Sequence, residues 1–120
     1  MTVNERLIDA LSPLGLPVVP EIDTTQQERC LMFNYSAVGA CYADDMPKFE
    51  LYLIQVHYVC PSGWNSVAER KAVKRALFQA GFSWPEETPA NDRSQTKRSE
   101  AKQHYVFECE WLEGIEDGTS

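Results

Sequence analysis

The chain has only four cysteines, at positions 30, 41, 60 and 109, and none stands in a Cys-x-x-Cys pair. Neither a zinc knuckle nor a dithiol redox motif is therefore written here, and a reduced compartment is the simpler expectation. No apolar run approaches the ~20 residues that cross a bilayer, and the amino terminus lacks a basic stretch followed by an apolar core and a cleavage site. No membrane partner is expected, and the protein is expected to stay in the cytoplasm where it is made. Gly-x-Gly-x-x-Gly, a Walker loop, Gly-x-Ser-x-Gly and His-Glu-x-x-His are all missing. The common enzyme signatures go with them, and no cofactor is expected.

Positive charge is also scarce where it would matter for nucleic acid. Residues 1 to 60 carry three basic and eight acidic side chains, a balance of -5, and residues 61 to 120 carry eight and ten, a balance of -2, which together give the net charge of -7. Affinity for phosphate comes mainly from clustered Lys and Arg, so sequence-specific nucleic acid is not an expected partner. A local basic patch survives, because the later basic residues all lie between Arg70 and Lys102. The length of 120 residues allows one domain, and a hydrophobic content of 43% lies far from the signature of disorder. The expected domain runs over 1–113, followed by an acidic flexible tail at 114–120.

Thr2-Val3-Asn4-Glu5 fits a capping box and opens a helix whose Val3, Leu7, Ile8 and Leu11 form one apolar stripe; Pro13 ends it. Pro17, Pro20 and the polar run 23–29 mark a connection with a short extended piece at Val18-Val19. Cys30 to Ala37 reads as a first long strand, closed by a loop at Gly39. Phe49 to Cys60 is the clearest strand. Tyr52, Ile54, Val56, Tyr58 and Cys60 make its core face, while Leu51, Leu53, Gln55, His57 and Val59 make a second face that turns polar and opens to solvent or another subunit.

Ser66-Val67-Ala68-Glu69 supplies a second capping box, and Val73, Ala76, Leu77 and Ala80 form the buried stripe of the helix it starts. Gly81 is placed to be the left-handed residue after its end, with Phe82 packing back on Leu77. A strand of modest length is plausible after Ser83-Trp84-Pro85. The nearly apolar-free segment 86–102 reads as a long polar loop, in which residues 90–101 form an interaction arm carrying Arg93, Lys97 and Arg98. His104 to Leu112 alternates, with Tyr105, Phe107, Cys109 and Trp111 inward, and forms a last half-buried strand. The expected class is α+β: a mainly antiparallel four-stranded sheet with two helices on one face, in the order helix, strand, strand, helix, strand, strand.

Candidate chemistry is thin. Asp44 and Asp45 offer carboxylates to a divalent metal, but no Asp-x-Asp, His-x-His or spaced Glu cluster supplies further ligands, so a turn or an intersubunit ion pair is expected in place of a metal. His57 and Cys60 lie three apart in a strand and so point to opposite faces, which removes them as a base and nucleophile. His104 and Glu108 share a face but stand ~13 Å apart along it, too far to hold one ion. Trp64, Trp84 and Trp111 could stack bases, but Trp111 falls on the core face, and any spare aromatic reads as an interface anchor. No catalytic, cofactor or metal residue is expected.

The run Asn34-Tyr35, Tyr42-Ala43-Asp44-Asp45 and Tyr52-Leu53-Ile54-Gln55-Val56, with the helix-closing Ala80-Gly81-Phe82, resembles the small tail-terminator or tail-completion proteins of long-tailed bacteriophages. The resemblance extends from the first helix through Trp111. It implies a structural virion protein, and not an enzyme, that closes into a ring, usually of six subunits. Its implied partners are its own copies, the tail-tube protein and the head-tail connector, first in the host cytoplasm during assembly and then in the virion tail. A head-side connector or adaptor is the alternative, and a small metal-dependent hydrolase using Asp44 and Asp45 a more distant one. The long basic segment after the second helix departs from the family pattern, as does His57 where an acidic residue is preferred. The expected interaction residues are Asp44, Asp45, Gln55, His57, Arg93, Lys97 and Arg98.

Overall fold

The structure, a computed structural model, describes residues 2–19, 29–43, 46–90 and 102–114. Within them the chain forms helix α1 (Val3–Leu11), a 3-10 turn (Ser12–Leu14), strands β1 (Val18–Val19), β2 (Cys30–Ala43) and β3 (Met46–Pro61), helix α2 (Val67–Gln79), and strands β4 (Glu86–Pro89) and β5 (Lys102–Gly114). The class is α+β. One sheet, in the order β1-β2-β3-β5-β4, is antiparallel throughout except where β1 joins β2 in parallel. The fifth strand is therefore the Val18-Val19 piece, set down beside Leu31 and Met32.

Both helices lie on one face of the sheet. Val3, Leu7 and Leu11 of α1 and Val73 and Leu77 of α2 share a core with Leu31 and Phe33 of β2, Ile54, Val56, Tyr58 and Cys60 of β3, and Phe107 and Cys109 of β5. This is the period-2 face expected for β3 and β5 meeting the period-3.6 stripes expected for the helices, except that Ile8, expected in the α1 stripe, is exposed at 38%. Each fully buried Leu, Val or Phe contributes about 1.5–3 kcal/mol from removing its surface from water.

The helix ends show where local signals held and where tertiary partners overrode them. At α1 half of the box forms: the Thr2 hydroxyl accepts from the Glu5 N–H at 3.1 Å, but it also donates to the Glu5 carboxylate at 3.2 Å, which takes the hydroxyl in place of the cap amide. At α2 the expected box does not form. Ser66 is buried, and its hydroxyl donates to Gln103 Oε1 and accepts from Arg70 Nε, while Asn65 Oδ1 takes the Val67 N–H instead. A hydroxyl enclosed by polar side chains satisfies them before it satisfies an exposed helix end.

The carboxyl end of α2 closes as its sequence dictates. Gly81 takes φ 103°, its N–H donates to the Phe78 carbonyl and the Phe82 N–H donates to the Leu77 carbonyl, the two bonds of a Schellman motif. Phe82 is thereby driven into the core, 5.2 Å from the Trp111 ring.

Three extents differ from expectation: β3 runs from Met46 to Pro61 and not only from Phe49 to Cys60. β2 does not stop at Ala37 for a loop at Gly39; Gly39 pairs with Glu50, and the register continues to Ala43 opposite Met46. A glycine flanked by a continuous partner strand keeps its ladder position, so the break signal loses to the pairing. The polar segment 86–102 is likewise not all loop: Glu86–Pro89 is strand β4, paired with Tyr105 to Glu108, and Lys102 already belongs to β5. An edge strand is held by backbone bonds, so it does not need the apolar alternation that identifies a central one. Gly114 ends β5, and residues 115–120 lie outside the described residues.

A Cβ on Gly81 would sit 2.7 Å from Trp111 Cζ3, at a φ that L side chains rarely adopt. Gly81→Ala is expected to destabilise the fold by on the order of 1–3 kcal/mol, read as a lower urea midpoint with unchanged slope. An unchanged midpoint would show that neither the helix stop nor the Trp111 contact constrains this position.

Candidate functional site

The two faces of the sheet carry different chemistry. On the helix side, Glu69 in the first turn of α2 gathers three donors: the Tyr58 hydroxyl, Trp64 Nε1 at 2.8 Å and Arg29 Nη1 at 2.6 Å. The Arg29 guanidinium also lies over the Trp64 ring, 4.3 Å from its centroid. One turn on, Arg70 and Lys74 grip Glu87 of β4 at 2.7 and 3.0 Å, and Arg70 covers the Tyr105 ring at 4.2 Å. These two cations hold the Glu87 carboxyl below its usual range, outweighing a burial effect that alone would raise it. The cluster binds the edge strand and the 29–30 segment to α2. Its role is structural, because its acceptors are already filled by the chain's own donors.

The thiols on this side are also occupied by packing. Cys60 and Cys109 are buried; burial pushes the Cys60 thiol up, and burial, aided by the Glu110 charge, pushes Cys109 up to about 12. Neither supplies a thiolate at neutral pH. His57 lies on the opposite face, as the strand alternation requires.

Among the described residues no helix lies on that opposite face, yet its Cys30–Val59 end is not open as expected: Cys30, Met32 and Val59 are buried there as a small second cluster, and it is the apolar end of the face that is exposed. Its cross-strand rows follow from the register: Met32, His57, Val106 and Thr88; then Asn34, Gln55, Glu108 and Glu86; then Ser36, Leu53 and Glu110; then Val38, Leu51 and Leu112. Gln55 is thus at the centre of the sheet between Asn34 and Glu108. A cleft of about 570 Å³ opens here, with Leu53 and Trp84 as its apolar walls and Glu86, Glu108 and Glu110 bringing three carboxylates into it. Beyond the cleft the surface is apolar: Val38, Phe49, Leu53 and Leu112 are exposed at 45, 37, 42 and 53%.

His57 sits beside the cleft, half-buried, with Nδ1 2.8 Å from Nε2 of His104 and Nε2 3.3 Å from Asn34 Nδ2. The two histidines are diagonal neighbours across β3 and β5, since His57 pairs with Val106 and Val59 with His104. One imidazole donates to the other, which both rings can do only while at least one stays neutral. Burial first, and the His104 charge second, hold His57 below the ordinary imidazole value.

Of the expected interaction residues, Gln55 and His57 are brought together on this open face. Asp44, Asp45, Arg93, Lys97 and Arg98 lie outside the described residues; the ladder reaches Ala43 on one side and Met46 on the other. Glu86, Glu108, His104 and Trp84 were not expected here. Glu108 and His104 were assigned to the polar face of β5, but only the β3–β5 register shows which residues they meet. Among the described residues, no group of three or more His, Cys, Asp or Glu is arranged to hold a metal ion, and no helix is long and apolar enough to cross a membrane. No protein-family model matches the chain, and no curated protein matches it.

Two outcomes are expected. Glu69→Ala leaves Tyr58, Trp64 and Arg29 without their common acceptor and should cost on the order of 2–3 kcal/mol in chemical denaturation; a loss below about 0.5 kcal/mol would make the cluster incidental. For His57, the lowered folded-state value means that the unfolded chain binds the proton first as pH falls. Stability is therefore full above the ordinary imidazole value of 6.5 and declines as pH drops below it. The thermal midpoint should fall between pH 7.5 and pH 5.5, His57→Gln should flatten that slope, and a slope unchanged in the variant would remove His57 from the account.

Proposed function

We propose that this protein is a structural assembly component that forms a ring, caps the tail tube of a long-tailed bacteriophage and joins it to the head. The observation that carries the assembly reading is the one-sided sheet. Helices cover one face, while the other exposes Val38, Phe49, Leu53 and Leu112 along strands of 14 and 16 residues. Clustered exposed apolar side chains on one surface are the ordinary sign of a protein contact. The phage assignment itself rests on the resemblance of Tyr42-Ala43-Asp44-Asp45, Gln55-Val56 and Ala80-Gly81-Phe82 to tail-terminator proteins.

In this reading the chain does no chemistry. It acts through matched surfaces, with its own copies as ring neighbours and the tail-tube protein and head-tail connector above and below. It works in the host cytoplasm during assembly and stays with the virion tail. Closed cyclic symmetry needs a heterologous contact, one patch on each subunit meeting a different patch on the next.

Leu53→Lys puts a charge on the open face at an exposed position, opposite Glu110 and so without a like charge across the strand, and should change stability by no more than about 0.5 kcal/mol. The expected outcome is unchanged circular dichroism with loss of the protein from tail-tube ends in electron micrographs of co-expressed tails. Wild-type protein found only as a free monomer beside such tubes would contradict the tail role.

A further inference from the structure

Sheet edges attract other strands unless something guards them, and natural proteins guard them with short strands, charges and proline. Two edges of this sheet are guarded. β1 is two residues long and follows Pro17, and β4 is four residues long, carries Glu86 and Glu87, and ends at Pro89. The rest of the edge is not. Among the described residues, β1 covers only Leu31 and Met32 and no other strand flanks β2 from Phe33 to Ala43 on that side, and the whole of β2 contains no charged residue and no proline.

The direction of the free backbone groups follows from one bond. The Leu31 N–H donates outward to the Pro17 carbonyl, so odd-numbered residues of β2 face outward, and Tyr35, Ala37 and Gly39 present their N–H and C=O groups to the open edge. On the far side of the sheet, the His104 and Glu110 carbonyls accept from Ala90 and Ser83, so even-numbered residues of β5 face outward. Beyond Glu110 no strand flanks β5 among the described residues. Leu112 and Gly114 are then open in the same way.

These two open edges stand level with each other. Val38 and Leu112 both pair with Leu51, so they end one cross-strand row on the uncovered face, one at 45% and the other at 53% exposure. β2 and β5 are each antiparallel to β3 and therefore run in the same direction.

We infer that the outer edge of β5, at Leu112 and Gly114, docks in parallel against the outer edge of β2, at Tyr35 to Gly39, of a second copy of this chain, with Leu112 beside the neighbour's Val38. The contact continues the three-stranded distal sheet head to tail and covers the exposed ends of the Val38–Leu51–Leu112 row. Charge permits this pairing. Each copy carries a net -7, and an uncharged β2 is the strand on which Glu110 and Glu113 of a neighbour meet no like charge. The inference rests on the ring reading for its partner being a second copy, and not for the place of that ring in a phage tail.

The test is disulfide trapping in a Cys41→Ser background, where Cys30, Cys60 and Cys109 are buried away from reagent. Val38→Cys and Leu112→Cys are made separately and together and oxidised mildly at high protein concentration. Mixed single variants should give one disulfide-linked heterodimer, each variant alone should stay monomeric on a non-reducing gel, and the double variant should give a ladder that stops at a closed ring. Adding Ala37→Pro, which removes an outward N–H and leaves the β2–β3 ladder intact, should cut the cross-link yield at least tenfold with unchanged circular dichroism. A homodimer from Val38→Cys alone would overturn the head-to-tail contact in favour of a two-fold β2 pair, and no cross-link in any mixture would overturn it outright. A trapped ring that never joins tail tubes would remove the tail role and leave this contact, whereas tails that carry the protein without the cross-link would do the reverse.

Discussion

Everything in this fold depends on β3 being bonded along both sides in fixed register. β2 pairs with it from Cys30 opposite Val59 to Ala43 opposite Met46, and β5 from Pro61 opposite Lys102 to Phe49 opposite Gly114. The side-chain period of a strand is two, so a slip of one residue would push Gln55 and His57 into the helix layer and turn Ile54, Val56 and Tyr58 to solvent. Burial of that second set against α1 and α2 fixes the register, and the register in turn decides what the open face looks like. The cleft, the histidine pair and the apolar row are consequences of where the core had to go.

Much of this could be read from the residues. The faces of β3 and β5, the stripe of α2 and its stop at Gly81 are local or periodic signals, and tertiary packing agrees with them. Ser66-Glu69 misled for a physical reason: both side chains found stronger partners in Gln103, Arg70, Tyr58, Trp64 and Arg29 than the helix amides offer. A strand after Pro85 was expected, but its place within the polar 86–102 segment was not legible, because edge pairing uses the backbone and leaves the side chains free to be charged. His57 could be placed on the open face from alternation alone, yet its contact with His104 spans 47 positions and exists only through the β3–β5 pairing.

The two sides of the sheet divide the work of the molecule. On the helix side, the Glu69 and Glu87 clusters tie α2 to β3, to β4 and to the segment entering β2, so the polar groups of these clusters are satisfied within the chain, although Arg6 Nε and Trp111 Nε1 on the same side are buried without a hydrogen-bond partner. On the open side, Glu86, Glu108 and Glu110 make no ion pair among the described residues, and Val38, Leu53 and Leu112 have no cover. An assembly gains a ready surface that adds little conformational cost on docking, because β2 and β5 are already held straight by β3.

Hydrogen exchange, read residue by residue in dilute and concentrated protein, tests this most directly. The account predicts that the amides of Ala37, Gly39 and Leu112, which face outward on open edges, exchange fast in the dilute protein and become protected on concentration, while the even-numbered amides of β2 facing β3 stay protected throughout. Edge amides that exchange equally fast at both concentrations, with new protection confined to the outer side of α2, would contradict it.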